Sequence, residues 1–350
     1  MSLSIKTFKL FSIFCLSSKV ILTGLIVSLQ GCTTQTGQKE NPSSEDKSNF
    51  DLREAQVIPS GFNYSNQNTF KVLSWNVEHF VDEYDDPYID ASRENEPELS
   101  MTEKVSYLAE ALIQENADVV VLQEFESSKF LRKIAEDHLQ DMGYEFFASA
   151  PSDNWYMNVV VMSKLPLGVL YSYGNVTTPV VDYKDKNGLI ETQNNLNTRM
   201  WSLEIFPAEN YNFILTGLHL KAGRGERNES MRLGQIQFLK HQFKRFMAMN
   251  SSQNLLIAGD LNSTLKSIEI ESLKQGENEA LTFYDPLPEN VMTHSVENPS
   301  RRLDYVLFNG NMKKEFVKGS AQVPELLTAD KMKVLSDHLP LVISFDKIDQ

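Results

Sequence analysis

Residues 255–262 read L-L-I-A-G-D-L-N, an apolar run that ends in Gly259 and Asp260 and is followed by Asn262. A short continuous apolar run of this kind is typical of a strand that is buried on both faces. Because side chains two positions apart on an extended chain share one face, Asp260 and Asn262 are expected to point the same way. The stretch therefore predicts a buried strand that presents a carboxylate and an amide at its end.

Five other apolar runs are flanked in the same way by a carboxylate, an amide or an imidazole. The flanking side chains are Asn76 after L-S-W, Glu124 after V-V-V-L-Q, His219 after I-L-T-G-L, Asp304 before Y-V-L-F, and Asp337 with His338 before L-P-L-V-I-S. A single such residue is more often a turn former or a hydrogen-bonded core residue. Six strand ends of this type indicate a functional site, because a rigid sheet fixes the positions of groups at its edge.

The residue types at these strand ends favour a hard cation beside a proton-transfer pair. Together they supply two His, three Asp, one Glu and two Asn. Carboxylate and amide oxygens suit Mg²⁺ or Mn²⁺, and Ca²⁺ is a third candidate. A zinc site is less favoured, because the chain has no cysteine set and no H-E-x-x-H motif.

Strands and helices alternate from residue 68 to residue 346 with no linker-like break, which indicates one α/β domain. Strands are predicted at 70–75, 118–123, 144–149, 157–163, 167–173, 199–206, 211–218, 255–258, 303–308 and 340–345. Helices are predicted after residue 100, from about 128 to a stop at Gly143, and over about 228–248. The polar segment 174–198 is long for a loop and is interpreted as a functional insertion.

The first 32 residues have the features of a bacterial export signal. Lys6 and Lys9 precede an apolar segment, and Leu29-Gln30-Gly31-Cys32 resembles a lipobox. We expect Cys32 to be lipidated, and a plain cleaved signal peptide with an incidental cysteine is the alternative. The boundaries predicted on this basis are 1–32 for the signal peptide, 33–66 for a polar tether and 67–350 for the main domain.

The chain is acidic, with 33 Lys and Arg against 47 Asp and Glu and a formal net charge of −14. This charge argues against nucleic-acid binding through a broad basic surface, but it leaves open a local site at which a cation meets a phosphate. Both cysteines, Cys15 and Cys32, lie in the leader. Disulfides, thiolate metal sites and a cysteine nucleophile are therefore excluded from the main domain.

Six motifs in the main domain agree in order and spacing with one known superfamily. They are L-S-W-N-V (73–77), V-V-V-L-Q-E (119–124), L-H-L-K (218–221), A-G-D-L-N (258–262), R-L-D-Y-V-L (302–307) and S-D-H-L-P-L (336–341). Through them the chain resembles the endonuclease/exonuclease/phosphatase superfamily, which includes pancreatic deoxyribonuclease, abasic-site endonucleases, inositol polyphosphate phosphatases and neutral sphingomyelinases. The resemblance implies an α/β fold, a four-layer sandwich in which two facing mixed β-sheets are flanked by helices and the site lies where their strand ends meet.

The resemblance also implies a role for each residue at the strand ends. Glu124 is expected to be the principal metal ligand, with Asn76 and Asp337 near the same ion. Asp260 and Asn262 would orient the attacking water and the phosphate. The imidazole of His338 would contact the phosphate or activate the water while Asp304 fixes its tautomer, and His219 would donate to a phosphate oxygen or to the leaving group. Which of these groups is the general base stays open.

Further substrate-binding residues follow from the same resemblance. Arg199 corresponds to an arginine that approaches the phosphate in the deoxyribonuclease-like members. Tyr156 and Asn158 stand where related nucleases carry a tyrosine near the substrate and a glutamate that pairs with the first histidine, so Asn158 is a departure that puts the general-acid role of His219 in question. Lys221 and Arg224 belong to a basic, glycine-rich loop that could follow a nucleic-acid backbone.

The other four histidines are interpreted as structural or surface residues. They are His79, His138, His241 and His294.

The resulting hypothesis is an exported, divalent-metal-dependent phosphodiesterase, most specifically a nuclease that hydrolyses DNA, RNA or both. A lipid anchor at Cys32 would hold it in the envelope of a bacterial cell, and without lipidation it would be secreted. The alternatives are a sphingomyelinase-like phospholipid phosphodiesterase, a phosphatase acting on small phosphate esters, and a non-catalytic binding protein on the same fold. Nucleic acid is the expected substrate, the membrane is contacted only through the anchor, and no protein partner is indicated.

Overall fold

A computed structural model describes residues 62–150, 155–194, 196 and 198–348. All of these residues lie in one compact unit, Asp51–Gln350. The predicted signal peptide, its Cys32 lipidation site and nearly all of the predicted tether lie outside the described residues. None of the helices within the described ranges combines the length and the apolar character that a membrane span needs.

The described chain folds into helices and strands that alternate along the sequence, as predicted. The helices are α1 (Ser92–Asn95), α2 (Met101–Glu115), α3 (Ser128–His138), α4 (Glu226–Met249), α5 (Ile268–Lys274) and α6 (Ala329–Leu335). The strands are β1 (Thr69–Phe80), β2 (Val119–Phe125), β3 (Phe146–Ser149), β4 (Asn158–Ser163), β5 (Leu167–Ser172), β6 (Thr177–Lys184), β7 (Ile190–Asn194), β8 (Met200–Ala208), β9 (Tyr211–His219), β10 (Asn254–Asp260), β11 (Phe283–Tyr284), β12 (Asp304–Asn309) and β13 (Leu341–Asp346).

Two mixed sheets form the centre of the domain. One has the strand order β13-β1-β2-β4-β3 and the other the order β11-β12-β10-β9-β8-β5. Each sheet contains one parallel pair, β1 with β2 and β9 with β10, and the remaining neighbours are antiparallel. The predicted pair of mixed sheets is confirmed.

The central strands are buried on both faces, so their side chains alternate between two cores. On β2, Val119 and Val121 face the core between the sheets, whereas Val120 and Leu122 pack in the core that α2, α3 and α6 cover. On β10 the same alternation runs between the inter-sheet core and the core beneath α4 and α5. The result is a four-layer arrangement of helices, sheet, sheet and helices, as the resemblance implied.

Residues 174–198 differ from the sequence-based expectation of a long loop. Strands β6 and β7 form an antiparallel hairpin, separate from the two main sheets. Thr178 and Val180 are buried between exposed neighbours, which is a strand alternation that the polar composition of the segment obscures. The hairpin packs on α4, where the Gln193 amide donates to the Met231 carbonyl over 2.8 Å.

A glycine at the end of β10 lets two strands approach closely. Gly259 has φ +149°, and a Cβ there would lie 1.9 Å from the carbonyl oxygen of Leu218 on β9. We expect Gly259→Ala to lower the free energy of unfolding by at least about 3 kcal/mol, because it adds backbone strain and a collision with main-chain atoms. Urea unfolding measures the change.

Gly188→Ala is the matched control for that substitution. Gly188 also has a positive φ, +77°, but a Cβ there meets no atom within 4 Å. Backbone strain alone should cost about 1 kcal/mol. Equal losses in the two variants would contradict the close approach of β9 and β10.

Candidate active site

Polar side chains from both sheets converge at one edge of the sandwich. Parallel β9 and β10 end at the edge where antiparallel β12 begins. In the ladder Asp260 is therefore directly opposite His219 on one side and Asp304 on the other. The topology places three of the sequence-predicted residues in one row.

The backbone leaves regular strand geometry around this row. The pairing register of β1 with β2 shifts after Asn76, and that of β2 with β4 shifts after Gln123. Four non-glycine residues here have positive φ: Glu78 at 47°, His79 at 47°, Glu124 at 58° and Asn262 at 49°. Such conformations cost roughly 1–3 kcal/mol each and concentrate at functional sites, where they aim side chains that a regular strand would turn away.

Asp260 is the central group of the cluster. Its side chain is buried, and its two oxygens accept hydrogen bonds from Asn76 Nδ2 at 3.1 Å, Asn262 N at 2.7 Å and Asn262 Nδ2 at 3.3 Å. The Nε2 atoms of His219 and His338 lie 3.9 and 3.8 Å from Asp260 Oδ2. Burial raises the pKa of Asp260 against the opposing charge of His338. The side chains of Asp260 and Asn262 do meet, but not on one face of an extended strand as expected: β10 ends at Asp260, and the positive φ of Asn262 turns its amide back onto the carboxylate.

Glu124 presents an ionised carboxylate beside Asp260. Its oxygens accept hydrogen bonds from Asn76 Nδ2 at 3.2 Å and from the main-chain N–H of His79 at 3.2 Å, and His219 Nε2 lies 3.6 Å away. Burial acts to raise the pKa of Glu124, but His219 and His79 more than offset it, so the pKa lies below its usual value. This carboxylate is available to a cation at neutral pH.

His338 and Asp304 form a close ion pair. His338 Nδ1 lies 2.8 Å from Asp304 Oδ2. Burial acts to lower the pKa of His338, but Asp304 and Asp260 raise it to about 10. The imidazole is therefore charged at neutral pH and donates protons rather than accepting them. Hydrogen bonds from Trp75 to its carbonyl and from its N–H to Ser336 fix the backbone at the same point.

His219 is the second buried histidine of the cluster, and its protonation state is the opposite of that of His338. Burial lowers its pKa despite Glu124 and Asp260, so it is neutral at neutral pH. Its Nδ1 atom is buried without a hydrogen-bond partner in the described part of the chain. Asn158, which stands where related nucleases carry the pairing glutamate, instead donates to the carbonyls of Glu126 and Trp155 at 2.7 and 2.8 Å. The departure noted in the sequence thus leaves His219 without that pairing.

Two histidines that the sequence analysis treated as structural or surface residues lie in the site. His79 Nδ1 is 2.8 Å from the hydroxyl of Tyr156, and its main chain binds Glu124. His294 Nε2 is 3.2 Å from Asp337 Oδ2. No sequence motif marked either residue. His138 and His241 are exposed, as expected.

Arg301 decides the tautomer of His294. An Arg301 guanidinium nitrogen lies 2.9 Å from His294 Nδ1. Because guanidinium only donates, Nδ1 must accept, and the ring proton lies on Nε2, where it is donated to Asp337. Asp337 Oδ1 is 3.7 Å from His338 Nε2. Of the three residues expected near one metal ion, Asp337 thus lies with His294 and His338, whereas Asn76 and Glu124 contact each other.

The donor set fits a hard divalent cation. Glu124, Asp260, Asp304 and Asp337 bring four carboxylates to one region, and the oxygens of Glu124 face an amide and a main-chain N–H. Within the described residues, two groups have ligand atoms within 4.8 Å of one another: Asp260–Asp304–His338 and His294–Asp337–His338. The first group offers two carboxylate oxygens and one imidazole, and such oxygen-rich sets suit Mg²⁺ or Mn²⁺, whereas the second offers two imidazoles and one carboxylate. Glu124 belongs to neither group and contributes its carboxylate beside them.

Some of the residues predicted to bind substrate lie close to the catalytic carboxylates, and others lie farther from them. The His219 N–H donates to the Arg199 carbonyl over 2.8 Å, and burial lowers the pKa of the Arg199 guanidinium while the charges of Glu124 and Asp260 oppose this, so the guanidinium is within electrostatic range of the two carboxylates. Lys221 lies close enough to Arg199 for its pKa to be lowered by burial and by that charge. Tyr156 reaches the site through His79. Arg224 is exposed on the loop after β9.

A buried arginine holds that loop against α4 and α5. Arg232 Nη1 donates to the carbonyls of Lys221 and Gly223 at 3.0 and 2.9 Å, and its Nη2 lies 2.9 Å from Glu269 Oε1. Both partners of this ion pair are almost fully buried. The basic loop is therefore tied to the rest of the fold at the point where it leaves His219.

Comparisons with known proteins identify a family and similar folds. The model of the Endonuclease/Exonuclease/phosphatase family matches residues 73–338. D. rerio TDP2 complexed with single-strand DNA product is similar in structure, with a TM-score of 0.52 and 14% identity over 80% of this chain and 100% of that one. The human Nocturnin catalytic domain with bound sulfate anion has a TM-score of 0.51 and 16% identity over 84% of this chain and 98% of that one. None of the curated proteins compared with the chain matches it.

Proposed function

This chain belongs to the endonuclease/exonuclease/phosphatase family of metal-dependent phosphodiesterases and nucleases, and we propose that it hydrolyses phosphodiester bonds in nucleic acid. The observation that carries the proposal is the convergence on Asp260. One buried carboxylate is in reach of two histidines, Asn76 and Asn262, beside the ionised Glu124. This constellation can bind a cation, orient a water molecule and donate protons to a phosphate.

Each buried group of the cluster has a separate role in the proposed reaction. Glu124 would hold a divalent cation, which would neutralise the phosphate and stabilise the leaving oxygen. Asn76 lies beside that ion and donates from Nδ2 to Glu124 and Asp260, so it would orient the two carboxylates. Asp260 accepts the proton of the attacking water, because burial raises its pKa and the charged His338 cannot accept one. His338 donates to a phosphate oxygen. The neutral His219 has its Nε2 atom towards the carboxylates and would donate a hydrogen bond from it to the leaving oxygen, whereas the charged His338 is the group that can supply a proton.

Nucleic acid is favoured as substrate because cations accumulate near the site in an otherwise acidic chain. The Arg199 guanidinium is within electrostatic range of Glu124 and Asp260, and the Lys221 ammonium is within electrostatic range of Arg199. The net charge of the whole chain is −14. Local cations of this kind attract a polyanion to one place while the rest of the surface repels it. D. rerio TDP2, which is similar in fold, was solved with a single-strand DNA product.

A phospholipid phosphodiesterase is the second candidate, and one observation favours it. Leu189 and Ile190, at the turn of the β6–β7 hairpin, are 65% and 64% exposed. Neighbouring apolar side chains at a hairpin tip can enter a lipid surface.

A substrate panel with fixed Mg²⁺ tests these two candidates. It comprises double- and single-stranded DNA, RNA, abasic DNA, sphingomyelin and inositol phosphates. We expect divalent-dependent release of nucleotides and no release of phosphocholine. Release of phosphocholine without release of nucleotides would favour the phospholipid phosphodiesterase over the nuclease. If none of these substrates is hydrolysed, both candidates are contradicted.

We also propose that the protein is exported and anchored to a bacterial membrane through Cys32. The support is the leader sequence, with its basic start, apolar core and lipobox-like end. Cell fractionation of a Cys32→Ala variant tests the anchor. The protein should move from the membrane fraction to the soluble fraction, and an unchanged distribution would favour a plain cleaved signal.

A further inference from the structure

A cavity lies beside the candidate active site, between the end of β1 and the helices α1, α2 and α6. Its volume is about 300 Å³, which falls at the lower end of the range for small-molecule sites. Three cations line it, each from a different helix: Arg93, Lys104 and Lys333. We call it the helix-side cavity.

Lys104 is the least exposed of the three cations. Its side chain is almost completely buried, and its ammonium donates to the main-chain carbonyl of Glu78. Within the described residues no carboxylate lies at ion-pair distance from it. An ammonium has three donors, and a buried one without an ion pair gains from an anion that enters its cavity.

Arg93 and Lys333 stand at the open side of the cavity. Their side chains are 47% and 45% exposed and form surface pairs with Glu98 at 3.6 Å and Glu297 at 2.6 Å. Exposed pairs of this kind contribute little and exchange partners readily. The lining groups comprise three cations against the carboxylates of Glu78 and Glu98, a net charge of 3 − 2 = +1, in a chain whose net charge is −14.

The turn after Asn76 connects the cavity to the active site. The Glu78 N–H donates to Asn76 Oδ1 at 3.0 Å, and the His79 N–H donates to Glu124 Oε2 at 3.2 Å. Glu78 and His79 also line the cavity. Glu78 and His79 therefore belong both to the cavity lining and to the turn whose main chain bonds Asn76 and Glu124, so one short turn separates the proposed cation site from the three basic side chains.

We propose that the helix-side cavity binds a second phosphate of the substrate, carried by the nucleotide next to the bond that is cleaved. This inference rests on the proposed nuclease function. The cavity supplies charge rather than base-specific contacts, so it selects substrates by the presence of a neighbouring phosphate. A diester without a second phosphate would use the catalytic groups alone.

Isothermal titration with thymidine 3′,5′-bisphosphate tests the proposal, because this ligand carries two phosphates on one nucleotide. Thymidine 3′-monophosphate and 5′-monophosphate serve as references, all in Mg²⁺. We expect the wild-type protein to bind the bisphosphate at least about 10-fold more tightly than either monophosphate. In Arg93→Gln/Lys333→Gln this advantage should fall to about 2-fold.

Lys244→Gln/Lys313→Gln is the matched control. Lys244 and Lys313 are 42% and 53% exposed, and they pair with Glu277 and Glu279 as Arg93 and Lys333 pair with Glu98 and Glu297. The control should retain the bisphosphate advantage. Lys104→Met should abolish it as well, and a thermal melt of that variant separates lost binding from lost folding.

Three results would overturn the inference: equal affinity for all three nucleotides in the wild type, a retained advantage in Arg93→Gln/Lys333→Gln, or an equal loss in the control. Failure of the proposed function has a different signature, since it is judged by DNA hydrolysis in the substrate panel. A protein that cleaves DNA but shows no bisphosphate advantage loses only the cavity proposal. A protein that shows the advantage but cleaves no nucleic acid keeps an anion site and loses the nuclease function.

Discussion

Asp260→Asn is expected to lower kcat for phosphodiester cleavage by at least about 100-fold, the effect of removing an acid–base group. The substitution keeps the size of a buried side chain, and its carbonyl oxygen can still accept the hydrogen bond from Asn262 N. It removes the negative charge that faces His219 and His338 and the atom that accepts the proton. Steady-state kinetics at saturating Mg²⁺ measure the loss.

Glu315→Gln is the control for this experiment. Glu315 is also fully buried, but it bonds Asn254 and Tyr211 at the opposite ends of β10 and β9. Provided that urea unfolding shows it folded, its kcat should stay within about 3-fold of the wild type. A loss of less than 10-fold in Asp260→Asn would remove Asp260 from the proton transfer.

Glu124→Gln is expected to raise the Mg²⁺ concentration needed for half-maximal activity by at least about 10-fold. The carboxylate is ionised and its oxygens face an amide and a main-chain N–H, so its charge is directed at the site. The neutral amide keeps the shape and loses most of the attraction for a dication. A chelator should abolish activity in the wild type, and added Mg²⁺ or Mn²⁺ should restore it.

Activity titrations with Mg²⁺ and with Mn²⁺ measure this shift, again with Glu315→Gln beside them. Full activity of the wild type in chelator would contradict the role of a divalent cation. If Glu124→Gln needs the same Mg²⁺ concentration as the wild type, the ion is bound by another group of carboxylates, such as Asp260 and Asp304.

The meeting of the strand-end residues could be predicted from the sequence because their positions depend on a simple property of sheets. A buried apolar run such as 255–258 shows where a strand ends, and parallel strands end at one edge. Asp260, His219 and Asp304 consequently meet in one row of the ladder. The pairing of His338 with Asp304, implied by the family resemblance, is present at 2.8 Å.

The contacts that the sequence did not predict depend on irregular backbone and on side-chain directions. His79 enters the site because it and Glu78 have positive φ, which no apolar periodicity shows. His294 reaches Asp337 from a segment whose course is set by a local bridge to Arg301 and by a bridge to His338, which is far from it in the sequence. The β6–β7 hairpin was interpreted as a loop because its alternation is carried by Thr and Val among polar neighbours.

The acidic composition and the proposed nucleic-acid substrate are compatible in this fold. Acidic residues outnumber basic ones over the whole chain, 47 against 33, whereas Arg199 is within electrostatic range of Glu124 and Asp260, and the helix-side cavity adds Arg93, Lys104 and Lys333. A polyanion is therefore repelled by most of the surface and attracted at one edge of the sandwich. Binding should weaken steeply as salt concentration rises, since its long-range part is electrostatic.

The most direct test of the proposed site is the position of a bound Mn²⁺ ion in crystals of the protein, located by its anomalous scattering. We expect a peak at the Glu124 carboxylate beside Asn76, at the strand-end edge that also carries His219, Asp260 and His338. Mn²⁺ found only at His294 and Asp337, or only on the outer surface, would contradict the assignment of Glu124 as the principal ligand and the division of roles that follows from it.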